Sequence, residues 1–77
     1  MMNRNISIGR LLRELRRERG LTQDELAHVA GVSWRTVALA EKGYAPKTRA
    51  ARERIACALG VDERELFGET SEGVGTP

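Results

Sequence analysis

The stretch from Leu21 to Gly43, LTQDELAHVAGVSWRTVALAEKG, restricts the fold more than any other part of the chain, because it encodes two short capped helices separated by a glycine. Thr22 precedes Glu25 by three residues, the spacing at which a hydroxyl and a carboxylate satisfy two orphan amides reciprocally, worth about 1 kcal/mol. A helix beginning at Gln23 follows. At about 100° per residue, Leu26, Val29 and Ala30 share one face of it, Ala27 lies on the flank, and His28 points the other way. Gly31 supplies the left-handed backbone that a sharp turn requires. Ser33 caps the next helix, whose inward face is Val37 and Ala40 and whose opposite face carries Arg35, Ala38, Leu39 and Lys42. That second face has no core to meet. A short helix showing an arginine, a lysine and small or apolar side chains outward, with Trp34 at its leading edge, fits the DNA major groove in size and chemistry.

These residues resemble the helix-turn-helix of the XRE family, the phage repressor and Cro-like regulators. The likeness rests on the Thr22-Gln23 opening, Leu26-Ala27, Gly31-Val32-Ser33, the branched Val37 and the Glu41-Lys42-Gly43 ending, all at the family's spacing. It continues upstream through Ile8-Gly9, Leu12, Leu15-Arg16 and Gly20-Leu21, and downstream through Ile55-Ala56, Ala58-Leu59-Gly60-Val61 and Leu66-Phe67. The resemblance implies an all-α, compact five-helix lambda-repressor-like DNA-binding domain over residues 1–68, with the helix-turn-helix in helices 2 and 3. It also implies that Arg16 pairs with Glu41 at the end of the recognition helix. Arg52 departs from the pattern, since it stands where the family usually has leucine.

The flanking sequence supplies the remaining elements. After a polar lead-in, Ser7 is a candidate cap for a first helix running to Arg19, with Ile8, Leu11, Leu12 and Leu15 as its core stripe and Arg10, Arg13 and Arg17 on a solvated face. Gly20 stops it, and Leu21 packs under the motif. Pro46 disfavours helix at Ala45, so residues 44–47 read as a loop. Thr48 caps a fourth helix to Leu59 with a thin apolar face of Ala51, Ile55, Ala58 and Leu59. Arg52 falls within that face and must snorkel or pair. Gly60 ends the helix, and Asp62 with Glu65 forms a second capping box before a short fifth helix bearing Leu66 and Phe67. Residues 69–77, rich in Gly, Ser, Thr and Glu, have almost nothing to bury and read as a disordered acidic tail.

A chain of 77 residues buries only about 60% of its unfolded surface, which leaves little room for an enclosed active site. One histidine and one cysteine without a supporting cluster offer no catalytic constellation and no cofactor or metal set. The single Cys57 rules out an internal disulfide and fits a reducing compartment. The absence of a long apolar run or signal-type segment points to a cytoplasmic, nucleoid-associated protein. Charge is uneven. Residues 1–60 carry twelve Lys or Arg against six Asp or Glu, net +6, and residues 61–77 carry one against five, net −4. A basic folded part suits an anionic partner.

The candidate contacts divide into positioning and reading. Gln23, at the amide-rich start of helix 2, can donate to a phosphate and has no core role. Lys42, Tyr44, Lys47 and Arg49 follow the recognition helix, where loops of the family approach the backbone; each has the alternative of an ordinary surface residue. His28 is a solvated side chain whose other reading is a phosphate contact. Arg35 leads the reading set, because its fork can donate twice to guanine, worth about 1–3 kcal/mol of discrimination; the alternative is a plain phosphate contact. Trp34 can press on a thymine methyl or sugar, or pack back onto helix 2. Leu39 points outward where the family is usually polar, which suits thymine methyls or else burial against helix 4 or a neighbouring protomer. Ser33 and Thr36 have hydroxyls that reach a phosphate or base, though capping alone accounts for Ser33. The expected partner is a double-stranded operator, an inverted repeat bound by a homodimer through Leu66 and Phe67, unless those two close the core. No membrane and no small-molecule ligand is expected. The rival reading is an antitoxin or adaptor that binds protein on the same scaffold.

Overall fold

The computed structural model describes residues 6–67 and contains five helices in chain order: α1 (Ile6–Glu18), α2 (Gln23–Ala30), α3 (Trp34–Glu41), α4 (Arg49–Leu59) and α5 (Glu63–Phe67). The tail expected over residues 69–77 lies outside the described residues. α1 begins before Ser7, which therefore sits inside the helix rather than capping it.

Local chemistry fixes most boundaries. Thr22 Oγ1 accepts from the Glu25 amide at 3.0 Å while Glu25 Oε1 accepts from the Thr22 amide at 2.9 Å, so the expected capping box is complete. Ser33 caps α3 by accepting from the Thr36 amide at 3.2 Å, and Thr48 caps α4 through the Ala51 amide at 3.2 Å. The second box is half formed. Glu65 reaches back to the Asp62 amide at 3.3 Å, but the Asp62 carboxylate takes the Arg64 amide at 3.0 Å instead of that of Glu65. Gly31, at φ 75°, ends α2 in the left-handed region, and the next amide, Val32, reverses direction to bond the Ala27 carbonyl at 3.0 Å.

The core is one cluster in which Leu12, Leu26, Val37, Ala40, Ile55 and Leu59 are fully buried and Ala27, Ala30 and Ala56 nearly so. α2 packs on both α3 and α4, α1 packs on α3, and α5 closes against α4 and α1. Two expectations change here. Val29 is 59% exposed, although it shares a half-turn with Leu26. The buried arc of α2 turns from Leu26 through Ala30 toward Ala27, about 100° in one direction, and Val29 lies about 60° off the opposite edge. Leu66 and Phe67 are 2% and 4% exposed, so they complete the core of this chain and offer no exposed apolar surface for pairing two copies.

Gly9 explains how α1 and α3 come so close. A Cβ built at this position would lie 2.2 Å from the Glu41 carbonyl oxygen, so only glycine lets α1 cross the end of α3 at this distance. Arg52, 4% exposed, resolves its misfit by pairing: Nε donates to Glu63 Oε2 at 3.0 Å and Nη1 donates to the Pro46 carbonyl at 2.7 Å. It thereby ties α4 to α5 and to the loop that follows α3.

Candidate nucleic-acid interface

The outward face of α3 is held in place from behind. Val37 and Ala40 are buried without exposure, and Glu41, 7% exposed, turns its carboxylate inward. Arg16 donates from Nε to Glu41 Oε2, from Nη2 to Glu41 Oε1 at 3.0 Å, and from Nη1 to the Leu21 carbonyl at 2.8 Å. The guanidinium therefore clamps α1, the loop before α2 and the end of α3 together. This is the pairing the resemblance implied. The Glu41 hydrogen bond raises the Arg16 pKa above its ordinary value against the opposing effect of burial, so the guanidinium keeps its charge. Arg13, mostly exposed, adds a more distant contact at 3.8 Å to Glu41 Oε1.

Gln23 joins this network, which its sequence position did not disclose. Its Nε2 donates to Glu41 Oε1 at 3.1 Å, and its Oε1 accepts from the Trp34 indole at 3.2 Å. Gln23 thus links the start of α2 to both ends of α3: it lies outside the core, as expected, yet its two hydrogen bonds give it a structural part that the expectation did not include. Trp34 is bonded back to α2 yet remains 53% exposed. Arg16, Gln23, Asp24 and Trp34 border an open depression of about 550 Å³ at the start of α2. Asp24 places a negative charge beside any anion approaching there.

Ser33 and Thr36 bond one another through their hydroxyls at 2.9 Å. Arg35 and Lys42 are exposed, and Arg35 has no hydrogen-bond or ion-pair partner among the described residues. Leu39 and Tyr44, 41% and 44% exposed, line a groove of about 350 Å³ with Thr36, Pro46, Lys47 and Ala51. Pro46 and Ala51 carried no sequence signal for this role, because it arises from the turn of the loop against α4. Arg49 lies apart from this groove, its Nε 3.2 Å from Glu53 Oε2 and 3.8 Å from Glu63 Oε1, so a phosphate would have to compete with two carboxylates. His28 and Cys57 are both exposed, on α2 and α4. Among the described residues no three His, Cys, Asp or Glu gather as a metal set, and no helix is long and apolar enough to cross a membrane.

Comparison with known proteins agrees with this arrangement. Residues 12–66 match the family model described as Helix-turn-helix. The chain is 50% identical over 56 residues to an uncharacterised HTH-type transcriptional regulator of Methanothermobacter thermautotrophicus, a match covering 71% of this chain and 80% of the relative. Its fold is similar to that of the restriction-modification controller protein C.AhdI from Aeromonas hydrophila, with a TM-score of 0.71 and 35% identity over 80% of this chain and 94% of that one. The clp gene regulator ClgR from C. glutamicum shares the fold at a TM-score of 0.65 and 24% identity, over 94% of each chain. With its family model spanning most of the five helices and α2 and α3 held in the geometry described, the chain belongs to the helix-turn-helix family, of the XRE type that its motif resembles.

Proposed function

We propose that this chain is a sequence-specific double-stranded DNA-binding transcriptional regulator that acts as a repressor by occupying an operator, with α3 entering the major groove. The observation that carries the reading is the unpartnered, exposed Arg35 on a helix whose opposite face is locked into the core. A rigid helix holding a free guanidinium outward matches the bidentate donor geometry of a guanine edge. Lys42 and Lys47 flank it as backbone contacts, and Gln23 retains a second amide proton for a phosphate. Ser33, Thr36, Trp34 and Tyr44 complete the surface, with Arg49 a weaker member because of its carboxylate neighbours. The names of the Methanothermobacter relative and the restriction-modification controller support the regulatory part of the reading.

One recognition helix reads few base pairs, so the operator is an inverted repeat bound by a homodimer whose two helices lie about 34 Å apart on one face of the duplex. Because Leu66 and Phe67 are buried, that dimer uses other residues. The domain is residues 1–68, the setting is the cytoplasm, and no catalytic step forms part of the proposal. Half-exposed Trp34, Leu39 and Tyr44 also fit a protein partner, the antitoxin or adaptor reading.

Selection of bound sequences from random duplexes, followed by salt titration, separates the two readings. An enriched inverted repeat whose affinity falls with salt, with a log–log slope of about −0.9 per neutralised phosphate, supports DNA reading. Failure to enrich any sequence would remove it. Arg35→Ala should relax preference at one base pair per half-site; an equal loss on every sequence would make Arg35 a phosphate contact instead.

A further inference from the structure

Most hydrogen-bonding groups on the outward side of α3 are already engaged within the protein. The Trp34 indole donates to Gln23, the Gln23 amide donates to Glu41, and the Ser33 and Thr36 hydroxyls bond one another while Ser33 also accepts from a backbone amide. Ala38 and Leu39 have no polar side-chain group. Among the described residues this leaves Arg35 as the forked donor of the helix and an apolar surface beside it. In the major groove a base edge presents donors, acceptors and one apolar feature, the methyl group at C5 of thymine. With Arg35 as its forked donor and Ala38 and Leu39 apolar beside it, the helix has that methyl as a second readable feature.

Resting on the DNA-binding reading above, we propose that α3 takes much of its sequence preference from pyrimidine 5-methyl groups, received by Leu39 and Tyr44, so that thymine and 5-methylcytosine are favoured over uracil and cytosine there. The two residues line one groove, and their backbones are tied in the turn that ends α3, where the Tyr44 amide donates to the Leu39 carbonyl at 3.0 Å. Pro46 and Ala51 extend the apolar wall of the adjoining groove, and Thr36 contributes its own methyl. Lys42 and Lys47, both exposed, border this surface. That charge suits a base edge flanked by phosphates better than an apolar peptide. A methyl moved from water onto such a surface changes affinity by about fourfold.

The test uses the operator recovered by selection, resynthesised with deoxyuridine in place of each thymidine in turn, and with cytosine or 5-methylcytosine at the position that responds. The expected result is one position per half-site at which deoxyuridine weakens binding about fourfold, with 5-methylcytosine bound more tightly than cytosine by a similar ratio. Leu39→Gln, a change at an exposed position, should still bind the duplex with its circular dichroism unchanged but lose both differences. Equal affinity for thymidine and deoxyuridine at every position would overturn the proposal and leave DNA binding intact. Methyl dependence that persists in Leu39→Gln would overturn the assignment to this surface. Absence of binding to any duplex would overturn both the proposal and the reading beneath it, giving the apolar face to a protein partner.

Discussion

Arg16 and Glu41, 25 residues apart in sequence, couple α1 to α3, and with side chains only 12% and 4% exposed they do so largely out of water. Removing one member leaves the other charge buried without its partner, which costs about 3–5 kcal/mol. A double-mutant cycle with Arg16→Met and Glu41→Gln, read by thermal melting, should give strongly non-additive losses; additive losses would mean that the two side chains do not interact. Gln23 belongs to the same network. Gln23→Ala should therefore lower stability by about 1.5 kcal/mol, as for a hydrogen bond to a charged acceptor, and also release the Trp34 indole. Trp34 provides the readout, because its fluorescence should shift toward that of a solvated indole. An unchanged melting curve and spectrum would show that the Gln23 bonds contribute nothing. The sequence placed Gln23 correctly at the helix start, yet its two partners come from a helix whose direction only packing sets.

At the scale of elements, α4 shows how a departure from the family pattern is accommodated. Arg52 occupies a core position of α4, and Glu63 supplies the counter-charge from the start of α5, with the Pro46 carbonyl taking a third-element contact. Replacing Arg52 with Ala should cost about 3–5 kcal/mol, whereas Arg52→Leu combined with Glu63→Leu should recover most of it, since apolar side chains of similar volume substitute well for a buried pair. Urea denaturation of the three proteins checks this. If the double variant is no more stable than Arg52→Ala, the pair would be needed for more than its mutual compensation. The helices were legible because Thr22, Ser33, Thr48 and the closing glycines act within a few residues of themselves. Val29 was misplaced for the complementary reason: periodicity fixes which residues share a face and leaves open which arc of a short helix its neighbours cover.

For the whole molecule, the position of α5 decides where the apolar surface goes. With Phe67 at 4% exposure, Phe67→Ala should act as a core truncation costing about 3–5 kcal/mol, with a fall in Tm that does not depend on protein concentration. If the residue were instead a contact between copies, the loss would diminish as concentration rises. Calorimetry over a hundredfold range of concentration separates the two. The burial of Leu66 and Phe67 also leaves Trp34, Leu39 and Tyr44 as the large apolar side chains exposed around α3, beside the cations Arg35 and Lys42.

The sequence by itself determined the number and order of the helices, the turn at Gly31, and the outward direction of Arg35 and Leu39, and its motif residues carried the family resemblance. The first three are settled by caps, positive-φ glycines and residue phase, interactions that reach no further than about one helical turn. Tertiary structure alone decided the rest. It buried Leu66 and Phe67, exposed Val29, drew Gln23 and Trp34 into the Glu41 network, and set Arg49 against Glu63 away from the groove beside α3. Each of these outcomes depends on how whole helices pack, and residues distant in sequence meet only once the backbone has closed around Gly9 and the shared core.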